Sequence, residues 1–277
     1  MSYVNAALRP LFDLLLAPFA GVPPIVPLLL VSLLTSIGML VVFKRTSNQA
    51  ALSDVKRRIH AGLFEIRLFN DDLRAILRAQ SEILRTNLTY LKLSLVPMVW
   101  ILPPLVLVIA QLQFHYGYEG LRPGDTTLLE VDLKPEAVSA GVRPAAVLEL
   151  PDGLRADGQE VWVPAESQLV WRLAVEKDGD YEVAIAVDGA TAITKSVRVT
   201  DRTVRLSPVR VDPGFLSQLI YPAEPPLPDD GPIQAIHVAY PDRAVSVLGF
   251  GLHWMIPFFV LSIAFAFALR GWMKVTI

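Results

Sequence analysis

Three apolar runs stand out against a chain that elsewhere alternates apolar and polar positions. Residues 24–43, "PIVPLLLVSLLTSIGMLVVF", carry no charge and stop at Lys44 and Arg45. Residues 93–114 are likewise free of charge, and residues 244–269 contain His253 as their one titratable side chain before Arg270. A helix crossing a bilayer needs about 20 apolar residues, so each run reads as a transmembrane helix. Pro97, Pro103 and Pro104 are expected to kink the second, which neighbouring helices in a bundle accommodate. Residues 1–23 are apolar but broken by Arg9 and Asp13, the pattern of a helix lying at the membrane interface. The first run is too long for a cleaved signal, and its positive charges follow it, so it reads as a retained anchor.

Between the first two runs the period changes to that of amphipathic helices. Leu52, Val55, Ile59, Leu63 and Ile66 recur at steps of three and four, and Leu73, Leu77, Leu84, Leu88 and Leu91 continue the spacing. Asn70, Asp71 and Asp72 interrupt them, and these residue types favour turns and helix N-caps. Residues 44–92 therefore read as an antiparallel helical hairpin with its tip near residue 70, each arm about 33–35 Å long at 1.5 Å per residue. Arg74, Arg78 and Arg85 share one face of the second arm. With Arg67 they form the candidate contact surface for a client protein, the ribosome or acidic lipid. No aromatic residue interleaves with them, which argues against sequence-specific nucleic-acid binding.

From Tyr118 onward the period is two. Segments such as "TTLLEVDL", "QLVWRLAVE", "YEVAIAVDG" and "TKSVRVT", separated by "PDG" and "KDGD", predict six or so antiparallel strands. Residues 118–205 fit an all-β sandwich of immunoglobulin-like type, with "WRLAVEKDGDYEVAIAVDG" as a hairpin. Residues 206–243, which include "YPAEPPLPDDGP", read as an extended proline-rich connector.

Composition supports a membrane protein with a sizeable soluble part: 53% of 277 residues are hydrophobic, 19% are charged and the mean hydropathy is +0.45. The net charge of −2 conceals an asymmetry. Residues 44–92 hold ten Lys/Arg against five acids, whereas residues 112–243 hold 12 against 21. The positive-inside rule then puts the hairpin and the tail at 270–277 in the cytoplasm, and the N-terminus and β-domain outside the plasma (inner) membrane. The chain has no cysteine, so disulfides and thiolate sites are excluded. His60, His115, His237 and His253 lack metal-ligand spacing, and no phosphate loop or nucleophile elbow occurs. No enzyme, metal or cofactor is expected.

The order of a charge-bounded first span, a helical hairpin and "LRAILRAQSEILRTNLTYLKLSLVPMVWILPPL" running into the second span resembles the Oxa1/YidC superfamily of membrane protein insertases. Within it the likeness is to the three-span branch of Get1, EMC3 and TMCO1 types. The resemblance covers residues 24–114 and 244–277 and rests on topology more than on a fixed motif. It implies a bundle of three transmembrane helices with a cytoplasmic hairpin, into which an extracytoplasmic β-domain has been inserted. It also implies client membrane proteins as partners and a polar groove, for which Ser32, Thr35, Ser36 and Arg45 are the candidate lining residues. The alternative is a non-enzymatic structural or scaffolding subunit of a cell-envelope complex, its β-domain binding a partner outside.

Overall fold

The computed structural model describes residues 1–68, 73–138, 143–247 and 249–275. The expected turn at Asn70, Asp71 and Asp72 lies outside the described residues. Six α-helices occur in this part of the chain: α1 (Ser2–Leu16), α2 (Ile25–Thr46), α3 (Gln49–Leu68), α4 (Leu73–Tyr116), α5 (Phe215–Ile220) and α6 (Met255–Leu269). The chain divides into two compact units, residues 28–108 with 258–277 and residues 1–27 with 109–257.

In the helical unit, α2 buries one face, with Leu28, Val31, Ser32, Thr35, Ser36 and Leu40 at the three-and-four spacing of a helix. Asn48 starts α3, its side-chain Oδ1 accepting from Ala51 N at 3.0 Å as an N-cap does. Helices α3 and α4 lie antiparallel. Lys56 stands over the Tyr90 ring, and a methyl group added to Gly62 would meet Ile83 and the Ala79 carbonyl. Helix α4 continues for 44 residues through all three of its prolines.

The expected three-span bundle is not what forms. Among the described residues, two helices are long and apolar enough to cross a membrane, Ile25–Thr46 and Ile76–Tyr116. The third expected span begins instead as two short strands and leaves α6 only 15 residues. At 1.5 Å per residue that is about 22 Å, short of a hydrocarbon core of about 30 Å. The multi-pass plasma-membrane topology, with N-terminus outside and C-terminus in the cytoplasm, loses its third crossing with it.

The other unit is mainly β. Its strands are β1 (Thr126–Leu133), β2 (Ala146–Glu149), β3 (Leu154–Ala156), β4 (Val161–Val163), β5 (Gln168–Val175), β6 (Gly179–Val187), β7 (Ile193–Val199), β8 (Val209–Val211), β9 (Ile233–Val238), β10 (Val245–Val247) and β11 (Phe250–Leu252). An open six-stranded sheet runs β3-β5-β1-β9-β8, with β4 also paired to β5; a three-stranded sheet runs β2-β6-β7, and β10 pairs with β11. Every ladder is antiparallel. The two larger sheets share one core, in which Leu129, Val131, Leu169 and Leu173 of the first meet Val183, Ile185 and Val197 of the second.

This is not the expected immunoglobulin-like sandwich. Strands β8 and β9 come from residues read as connector, and β9 pairs with the central β1. Nor do β5 and β6 form a hairpin. They belong to different sheets, and residues 176–178 arch between them. The reason is packing: Leu169, Trp171, Leu173 and Val175 of β5 and Val183, Ile185 and Val187 of β6 line the same core, which requires the strands to face each other.

The arch is held by Gly153, whose carbonyl accepts from Glu176 N at 2.8 Å. Gly153 has φ +117°, and a Cβ there would lie 2.2 Å from the Tyr181 hydroxyl oxygen. Gly153→Ala is therefore expected to destabilise the β-unit by about 1–3 kcal/mol. A lowered chemical-denaturation midpoint, compared with the exposed control Gly21→Ala, where a Cβ meets nothing and φ is ordinary, checks this.

Candidate functional site

The groove candidates are placed at a closed seam. Ser32 Oγ lies 3.4 Å from the Phe258 carbonyl oxygen. Ser36 Oγ is 2.7 Å from Ser32 O and 2.8 Å from Ser262 O, so one hydroxyl proton is shared between two carbonyls. With Thr35 they are buried where α2 meets α6. Small hydroxyl residues let two helix backbones approach closely, and here they act as polar glue instead of lining a groove. Arg45 differs. It lines an open basic depression of about 770 Å³ with Lys44, Lys274 and Trp272, and Lys44 Nζ donates to Met273 O at 2.8 Å.

The contact arginines are on the surface: Arg67, Arg74, Arg78 and Arg85 are all exposed. More telling is the surface beside them. Leu77, Leu84, Leu88 and Leu91 of α4 are 54–64% exposed, and Leu63, Phe64 and Leu68 of α3 are 55–74% exposed. The arms meet instead along Gly62, Ala79 and Ile83. At 100° per residue Ala79 lies about 160° from Leu77 around α4, so a seam built on small residues leaves the leucine stripe facing away from it.

In the β-unit, contacts distant in sequence gather charges that sequence spacing could not reveal. Lys195 is fully buried and donates to Ser207 O, to Ser207 Oγ at 3.0 Å and to Glu224. Glu224 also accepts from Ser196 N at 2.9 Å and from Ser207 Oγ at 2.6 Å. Burial alone would raise the Glu224 carboxyl, but the Lys195 charge and these donors overcome it and hold the group below the usual carboxylate range. A serine beside a lysine invites comparison with a nucleophile and its base. Here the lysine is committed to a carboxylate and the serine proton points at the same carboxylate, so neither is set up for proton transfer to a substrate.

A second cluster fixes α1. Arg205 Nε and His115 Nε2 lie 3.0 and 3.1 Å from Asp13 Oδ1, Arg205 Nη2 donates to Arg9 O at 2.6 Å, and Asn5 Nδ2 donates to Gln218 O at 2.6 Å. Burial would raise the Asp13 carboxyl, yet the hydrogen bond to His115 and the charge of Arg205 leave it lowered. A further pair, His237 Nε2 and Asp132 Oδ2 at 2.9 Å, is half-buried on the sheet. No serine or threonine hydrogen bond reaches His237 among the described residues. His253, expected inside the third span, instead caps α6, its Nδ1 accepting from Met255 N at 3.4 Å. No group of three or more His, Asp or Glu able to hold a metal occurs among the described residues.

Comparison with protein-family models, with curated proteins and with solved structures gave no match. Together with the two long apolar helices in place of three, this overturns the resemblance to the Oxa1/YidC superfamily and the insertase function drawn from it.

The Lys195–Glu224 pair generates a test. Glu224→Gln leaves a buried ammonium without its counter-charge and is expected to destabilise the β-unit by about 3–5 kcal/mol, whereas Lys195→Met with Glu224→Leu should recover most of that loss. Because the folded-state value of Glu224 is depressed, its contribution is complete above the ordinary value of 4.5 and fades as pH falls through the lowered one. Denaturation midpoints followed from pH 7 to pH 2 should therefore converge for wild type and Glu224→Gln at the acid end.

Proposed function

We propose that this chain is a non-enzymatic structural or scaffolding subunit of a cell-envelope complex. It acts by holding partner proteins, one of them on the β-unit. The observation that carries this reading is the outward leucine stripe of α4, where Leu77, Leu84, Leu88 and Leu91 share one helix face and are each more than half exposed. Soluble monomers seldom leave a contiguous apolar surface of this kind uncovered, and such surfaces mark interaction sites. Arg78 and Arg85 flank the stripe on α4, so an amphipathic partner helix with acidic residues beside its apolar face is complementary to it.

Other features agree. Two helices have the length and apolarity for anchoring in an envelope membrane. The Lys195–Glu224 and Arg205–Asp13 pairs of the β-unit tie its own elements together, as a scaffold requires.

Replacing Leu77, Leu84 and Leu88 together by Glu tests the proposal. These positions are solvent-facing on a helix that Glu suits, so the fold should persist, as circular dichroism would confirm. Affinity purification of the wild-type chain from its native membrane fraction should yield a defined set of proteins at near-stoichiometric amounts, and the triple variant should lose one of them about tenfold or more. Identical recovery with the variant, or a wild-type chain that elutes alone, would overturn the reading.

A further inference from the structure

The β-unit contains a basic cavity that its structural networks leave unused. Its volume is about 360 Å³, at the lower end of the range of about 300–1,000 Å³ for small-molecule sites. Three stretches of chain converge on it: the N-terminal segment at residues 20–24, the entry to the β-unit at residues 119–122 and the loop after β7 at residues 200–203. Arg243, in the segment between β9 and β10, closes it. Backbone bonds fix these walls, from Thr203 N to Ala20 O at 3.1 Å, Thr200 N to Leu121 O at 2.9 Å and Arg243 N to Gly117 O at 3.0 Å.

Arg243 is 8% exposed, and its guanidinium has one acceptor among the described residues, Thr203 Oγ1, which accepts from Nη1 at 2.5 Å. Its Nε is a buried donor with no hydrogen-bond partner. That nitrogen is sealed from solvent, so an occupant of the cavity would be met by the remaining N–H groups of the guanidinium, which carries five in all. Two exposed arginines, Arg122 and Arg202, share the cavity with Arg243. The acids at its rim offset them in part: Glu119 lies 3.9 Å from Arg122 and its charge also acts on Arg243, and Asp201 makes no ion pair among the described residues. The hydroxyls are also oriented to give. Thr203 Oγ1 accepts from Arg243 and Thr200 Oγ1 accepts from Arg202 N at 3.2 Å, which leaves each free to donate its proton.

We propose that this cavity binds a phosphate group through Arg243 and Arg202, with Thr200 and Thr203 as supporting donors. A tetrahedral anion with several acceptor oxygens matches two guanidinium groups and two hydroxyls better than a planar carboxylate, which one arginine fork saturates. The source is either a free phosphate or phosphomonoester, or the headgroup of a phospholipid. Pro24, on the cavity wall, immediately precedes the long apolar helix α2.

The test uses the full chain purified in detergent, with inorganic phosphate and a short-chain phosphatidylglycerol as separate probes read by calorimetry and native mass spectrometry. At least one probe should bind saturably with one site per chain. Arg202→Gln should weaken that binding about tenfold, Arg243→Gln by more, and Asp201→Asn should strengthen it a few-fold. Binding of inorganic phosphate that displaces the lipid identifies a free anion as the source, and lipid binding that phosphate does not displace identifies the headgroup. If neither probe saturates, or both arginine variants bind like wild type, the proposal is wrong. Should Arg243→Gln fail to fold, the exposed Arg202→Gln still decides it.

Discussion

The β-unit depends on a clasp between its own entry and exit. Glu119 N donates to Pro241 O at 2.8 Å, Arg243 N donates to Gly117 O at 3.0 Å, and Tyr118 bridges Asp242. Closing a loop of some 125 residues costs about 4 kcal/mol beyond a constant, and that cost grows only slowly with length. Strand β1 offsets it, because both its neighbours are remote in sequence: β5 on one side and β9 on the other. The chain leaving β9 returns past its starting point, where the bonds of the clasp hold it. The same geometry carries Arg243 into a confined position, where its guanidinium meets a cavity wall instead of solvent.

Around this frame, buried charge selects one arrangement from many. An apolar core alone tolerates sliding of one sheet over another. Lys195 does not, since only the placement that delivers Glu224, Ser207 and the Ser196 amide together meets its ammonium and that carboxylate. Asp13 plays the same part for α1. A helix that is apolar on its outer side, with Leu11 and Leu14 more than half exposed, is registered by one carboxylate shared between His115 and Arg205. Both clusters join elements far apart in the chain, so they fix tertiary layout more than local conformation.

That distance explains what the sequence showed and what it hid. Local period and turn chemistry made α2, both hairpin helices and most strands legible, because the signal for each lies within its own ten or twenty residues. The partnering of strands did not follow. "WRLAVEKDGDYEVAIAVDG" has the form of a hairpin, but its two apolar faces are needed on opposite walls of one core, and pairing was decided by β1 and β7 elsewhere. The prolines of residues 206–243 suggested an extended linker, yet between them "IQAIHV" carries the alternation that makes β9. The third apolar run misled by length, since its first residues pair as β10 and β11 before a helix begins. Arg243 carried no signal at all, because its burial is a product of the clasp.

The leucine pattern shows most plainly how a correct period can support a wrong partner. Apolar residues at helical spacing mark the face that will be covered, and in a two-helix hairpin the nearest cover is the other arm. Yet Gly62 and Ala79 present almost no side chain, so the two backbones come close where these residues meet. Packing leucine against leucine would hold the arms further apart and would expose these small residues, which bury little of their own. On α3 the covered face holds Leu52 and Val55 beside Gly62, whereas α4 closes on Ala79 and Ile83 and keeps its leucines outward. The leucine face of α4 is left incomplete in its burial, and that uncovered apolar area is the free energy available for holding a partner.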